Sequence, residues 1–178
     1  MKTLLLSLGL GLVAALQAQT LPTVVEEEEE DLGTWYLKAV TFDKEIPGGK
    51  LGPVSVTPMT IKILDAGNVK IKFAYKIADQ CHDMSITLEE TEVPGKYTAY
   101  GGKHVVQIMK SSVEDHYILY DVTDLHGRQI RTAKLVGRDP DLSQEALKDF
   151  ENVTGARGLS SDTIVIPKQM ETCSPGGD

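Results

Sequence analysis

Between positions 69 and 77, Val69, Ile71, Phe73, Tyr75 and Ile77 share one parity, while Lys70, Lys72 and Lys76 take the other. Alternation sustained in this way specifies a β-strand with one buried and one wet face. It excludes a helix, whose apolar positions recur every three to four residues. The same period returns along most of the chain. Trp35, Leu37 and Ala39 alternate with Tyr36 and Lys38; Val54 to Leu64 alternates with an expected bulge or edge at Pro58; Met84, Ile86 and Leu88 alternate with Ser85, Thr87 and Glu89. Shorter strand-like stretches cover Tyr97 to Tyr100, His104 to Met109, Tyr117 to Asp121 and Ile130 to Val136. The stretch from His104 to Met109 is apolar on both faces, so its inward parity stays open. Turns fall between them at Asp65-Ala66-Gly67-Asn68, Pro94-Gly95, Gly101-Gly102 and His126-Gly127.

Eight strands joined in sequence by short turns leave no room for the crossover helices of a parallel sheet. The expectation is therefore all-β: a closed, eight-stranded, up-and-down antiparallel β-barrel. One helix comes late, capped by Asp141 or Ser143, striped by Leu147, Phe150 and Val153 or Thr154, and ended by Gly155 or Gly158. A single apolar stripe places this C-terminal α-helix on the outside of the barrel wall. Ile164-Val165-Ile166 reads as a short closing strand stopped by Pro167.

Ahead of the first strand, Met1-Lys2-Thr3 leads into the apolar run Leu4 to Ala15, too short to span a bilayer and followed by small residues near Ala18. Residues 1–18 read as a secretory signal peptide, and residues 19–31, with five glutamates from Glu26 to Glu30, as a flexible acidic arm. Residues 32–178 then form a single domain, secreted to the extracellular space, with no further stretch suited to stable membrane insertion. A net charge of −8 disfavours nucleic acid and anionic membrane as partners. Cys81 and Cys173 are the only cysteines, and in an oxidising compartment they are expected to pair, two free thiols being the alternative.

Enzymatic signals are poor. His82, His104, His116 and His126 fall in separate elements without metal-site spacing, and no serine sits on a nucleophile elbow. No enzyme activity, metal or cofactor is expected. A barrel of eight strands can instead hold one small ligand, with strand parity setting its inner face. That face comprises Leu37, Ala39, Met59, Ile61, Ile63, Val69, Ile71, Phe73, Met84, Ile86, Leu88, Tyr117, Leu119, Ile130 and Val136. Filling of the barrel by these side chains is the structural alternative. Lys134 breaks the apolar parity of Ile130 and Val136, and a buried unpaired ammonium is costly. It has three destinations: the barrel mouth, a carboxylate such as Asp121, or an acidic ligand headgroup. Asn152-Val153-Thr154 is an N-glycosylation sequon inside the expected helix.

Gly33-Thr34-Trp35 opening the first strand, Asp115-His116-Tyr117, Gly137-Arg138-Asp139-Pro140 and the late helix together resemble a lipocalin, from about Gly33 to Cys173. Glu92-x-Pro-Gly-Lys-Tyr-Thr-Ala99 and Glu171-Thr-Cys-Ser-Pro-Gly176 extend the likeness. The resemblance implies a secreted carrier of small hydrophobic ligands such as fatty acids, retinoids, sterols, odorants or pheromones, in glandular fluid such as saliva, tears or nasal mucus. It implies a monomer or weak dimer, with a cell-surface receptor as a candidate partner. It also implies that a Cys81–Cys173 disulfide ties the tail to a barrel strand, that Arg138 lies across Trp35 at the barrel floor, and that Lys134 lies near ligand headgroups. The enzymatic branch of the family needs a cavity thiol, which this chain lacks. A second function implied by resemblance is inhibition of cysteine proteases through the N-terminal region, here the acidic arm from Leu21 to Asp31.

Overall fold

The computed structural model describes residues 30–43 and 52–174. The stretch read as a signal peptide and most of the one read as an acidic arm lie outside these residues. Nine antiparallel segments run in chain order: β1 (Glu30–Phe42), β2 (Val54–Val56), β3 (Met59–Ile63), β4 (Val69–Ile77), β5 (Gln80–Glu90), β6 (Lys96–Ala99), β7 (His104–Lys110), β8 (His116–Leu125) and β9 (Arg128–Gly137). β1 starts inside the segment read as arm, since Glu30 and Asp31 already pair with Ile63 and Lys62.

Closure follows from the pairings. β1 pairs with β3 and with β9, each later strand pairs with its predecessor back to β5, and β5 pairs with β4. β2 and β3 both pair with β4 and are two halves of one strand, interrupted at Thr57-Pro58, where proline offers the ladder no N–H. Thr57 bridges the break by donating its backbone N–H to the carbonyl of Ala74 at 2.9 Å. The result is a closed eight-stranded antiparallel barrel.

A bulge in β1 decides what that strand faces. Leu37 pairs with Val136 and Ala39 with Leu135, leaving Lys38 as the extra residue. Before the bulge, Trp35 and Leu37 point into the barrel; after it, Val40 does so, while Ala39 packs outside with Ile118, Ala133, Leu135, Ala146, Phe150 and Leu159. The inward position expected for Ala39 is therefore corrected, because one inserted residue inverts the parity. Lys38 itself is buried, its ammonium donating to His116 Nε2 at 2.8 Å and pairing with Asp139 at 3.2 Å. The Nδ1 of His116 then donates to the carbonyl of Glu114 at 2.8 Å.

That outer cluster is the seat of helix α1 (Gln144–Gly155). Ser143 caps it by accepting from the N–H of Ala146 at 3.2 Å, and Ala146, Phe150 and Thr154 form its buried stripe. Beyond the helix, Val165 exchanges two backbone hydrogen bonds with Val40, at 2.9 and 2.7 Å. Ile164 to Ile166 thus make one bridge and not a strand. The regular pairing comes after Pro167, where β10 (Lys168–Gln169) lies parallel to β2. The disulfide between Cys81 and Cys173, separated by 92 residues, fixes this tail to β5.

Candidate functional site

Two apolar spaces are stacked inside the barrel. The lower, about 280 Å³, is lined by Leu32, Trp35, Ile61, Ile63, Val69, Ile71, Tyr97, Ile108, Tyr117, Leu119 and Val136. The upper, about 130 Å³, is lined by Met59, Ile71, Phe73, Met84, Ile86, Leu88, Tyr100, His104, Val106, Leu119, Asp121, Lys134 and Val136. Ile71, Leu119 and Val136 belong to both and form a waist between them.

The lower end is closed by Trp35, whose ring meets Tyr117 edge-on at 5.5 Å and lies under the Arg138 guanidinium, 4.3 Å from the ring centroid. Gly33 makes this approach available. Its φ is +82°, and a Cβ there would meet Arg138 Nη1 at 2.9 Å. The same Nη1 donates to the carbonyls of Leu32 and Thr34 at 2.6 and 3.3 Å, so the cation is held by both hydrogen bonds and the ring face.

Of the two spaces, only the upper is lined by charged side chains. Lys134 Nζ is hydrogen-bonded and ion-paired to Asp121 Oδ2, which also accepts from Thr132 Oγ1 at 3.3 Å. Of the three destinations open to Lys134, the structure shows the carboxylate. Asp121 is 3% exposed, and its Oδ1 is buried with no hydrogen-bond partner. His104 completes the group: its Nε2 lies 4.0 Å from Asp121 Oδ2, and its Nδ1 makes a 2.7 Å hydrogen bond with Thr123 Oγ1. Burial pushes the His104 pKa down, Asp121 pushes it up and Lys134 pushes it down again, with a net lowering from the ordinary value of 6.5.

Most residues of the expected inner face lie along these two spaces: Met59, Phe73, Met84, Ile86, Leu88 and Lys134 in the upper, Ile61, Ile63, Val69 and Tyr117 in the lower, with Ile71, Leu119 and Val136 shared. Leu37 joins the interior cluster without lining either space. Ala39 is outside, and Ile130 lines neither space. Although it keeps the parity of Lys134, it sits near the start of β9 opposite Thr123, beyond the upper space. Parity reasoning missed Val106, Ile108 and His104 because β7 is apolar on both faces; burying Met109 against the helix cluster settles which face is inward. Tyr97 and Tyr100 lacked any such signal. Asn152 is exposed on α1, while Thr154 of its sequon is buried, with its hydroxyl donating to the carbonyl of Phe150 at 2.8 Å. Among the described residues no cluster of three metal-ligating side chains occurs, and no helix is long and apolar enough to cross a membrane.

A model of the lipocalin and cytosolic fatty-acid binding protein family matches residues 32–171. The chain belongs to the lipocalin family. Over its whole length it is 57% identical to von Ebner gland protein 1 of Rattus norvegicus, covering 100% of both chains. It is 52% identical to Lipocalin-1 of Sus scrofa, covering 100% of this chain and 99% of that one, and 50% identical to Major allergen Can f 1 of Canis lupus familiaris over 99% of each. The siderocalin Ex-FABP, a solved structure, superimposes with a TM-score of 0.70 over 80% of this chain and 96% of that one. At 17% identity it bears on the lipocalin fold alone. As a lipocalin the chain falls among small hydrophobic ligand carriers, a family that is generally not enzymatic.

Proposed function

We propose that this lipocalin is secreted into glandular fluid and carries elongated hydrophobic molecules, such as fatty acids, fatty alcohols, retinoids, sterols or odorants, along the barrel axis. The observation that carries the reading is the pair of stacked apolar spaces sharing Ile71, Leu119 and Val136. Two spaces in line suit a chain-like ligand that threads the waist, and Met59 and Met84 in the upper one supply side chains that adapt to several shapes. Burying about 300 Å² of ligand apolar surface at ~25 cal/mol per Å² yields roughly 7 to 8 kcal/mol before ordering costs, the scale of micromolar binding. The names of relatives, among them gland proteins and Vomeronasal secretory protein 1 of Mus musculus, support a glandular secretion.

The test is organic extraction of the natively secreted protein followed by mass spectrometry, alongside titration with a fluorescent fatty alcohol. A co-purifying long apolar molecule and saturable uptake are expected. An empty extract together with no uptake overturns the proposal.

A further inference from the structure

We propose that the upper space selects the hydroxyl group of a neutral, long-chain apolar ligand, using Asp121 as acceptor and Lys134 as donor, and that it discriminates against carboxylates. This rests on the carrier reading and adds the headgroup chemistry. An apolar cavity containing a free lysine would favour a fatty acid, but this lysine is already neutralised by Asp121. A ligand carboxylate would have to displace Asp121 or lie beside its charge, in a space lined mostly by apolar side chains.

The pair also leaves a definite vacancy for hydrogen bonding. Asp121 Oδ2 serves both Lys134 and Thr132, whereas Oδ1, buried in a side chain that is 4% exposed, serves nothing. Buried acceptors are nearly always satisfied, and an exception inside a ligand cavity points to a donor brought by the ligand. Asp121 and Lys134 both line the upper space, so a hydroxyl lodged there meets the pair. Lys134 is 26% exposed at its side chain and has three N–H groups, of which Asp121 takes one. A hydroxyl both donates and accepts, so it can engage the two partners at once. A ligand ammonium could only donate, and would sit against the Lys134 charge. His104, held toward its neutral form chiefly by burial, adds no positive charge that would attract an acid.

Displacement of N-phenyl-1-naphthylamine at pH 7.5 by 1-hexadecanol, its methyl ether and palmitate tests the assignment. The alcohol should bind about tenfold more tightly than palmitate and several-fold more tightly than the ether, which accepts but cannot donate. Asp121→Asn, which keeps the side-chain shape and frees Lys134, should reverse the order of alcohol and acid. Lys134→Met, which leaves the Asp121 charge uncompensated, should keep palmitate the weakest of the three. Equal displacement by all three compounds, or palmitate binding tightest to the wild-type protein, overturns the headgroup assignment while leaving the carrier reading intact. Failure to take up the probe or any of the three compounds overturns both. The wild-type ranking decides the matter even where a variant does not fold.

Discussion

At the scale of single residues, charge inside the barrel is concentrated in His104, Asp121 and Lys134, and their coupling is measurable through the histidine. His104 is half-buried, and its pKa falls below 6.5 chiefly by desolvation. A lowered histidine pKa means that the folded protein prefers the neutral ring. Its contribution to stability is complete above the unfolded value and is lost as pH falls through the folded one. An NMR titration should place the His104 midpoint below 6.5. Asp121→Asn removes the influence that raises it and should move the midpoint further down; Lys134→Met removes one that lowers it and should move it up. Shifts in the opposite directions would mean that the three side chains do not form one cluster in solution.

Among the elements, α1 depends on one polar contact as well as on its apolar stripe. Asp149 accepts from Ser111 Oγ at 2.6 Å and from the N–H of Ser112 at 3.0 Å, joining the helix to the turn between β7 and β8. Burial pushes the Asp149 carboxyl up, but these hydrogen bonds more than reverse it and hold the pKa below its ordinary value of 3.8. The stabilisation is therefore present above that value and disappears as pH falls through the folded one. Ser111→Ala should cost about 1 kcal/mol at pH 7, a charge-assisted bond discounted for partial exposure, and progressively less below about pH 4. Urea denaturation at both pH values measures this. A cost independent of pH would assign the effect to Val113, whose N–H also donates to Ser111 Oγ at 3.1 Å.

The elements also show where sequence reading stops. Alternation identified β4 and β5 and the faces they turn inward, because apolar and polar residues alternate from Val69 to Phe73 and from Met84 to Glu89. It could not see the Lys38 bulge, since the run from Leu37 to Val40 reads as unbroken strand and the inserted residue is defined only by its partners across the ladder, Val136 and Leu135. Nor could it orient β7, whose outward face is apolar because a helix covers part of it. The Asp121–Lys134 pair was within reach of residue chemistry, through the cost of an interior ammonium. The idle Oδ1 was not, because it depends on side-chain geometry.

For the whole molecule, the tail and the barrel are separable. Beyond Pro167 the chain is held by β10, by the Gln169 side chain donating to the carbonyl of Leu37 at 2.9 Å, and by the Cys81–Cys173 bridge. Closing a 92-residue loop stabilises by roughly 4 to 5 kcal/mol on chain entropy. Cys173→Ser should therefore lower the melting temperature and release the chain at the exposed Lys168 from its pairing with Ser55 for cleavage by trypsin, with the β-sheet circular dichroism retained. Unchanged melting and no new cleavage would show that the bridge contributes nothing. The bulge at Lys38 has a different reach. Because Trp35, Leu37 and Val40 answer to the interior and Ala39 to the helix, one strand divides its accountability at a single residue. Substitutions at positions 35, 37 and 40 then bear on the barrel interior without re-engineering the helix seat, and the two surfaces are free to diverge at different rates along a lineage.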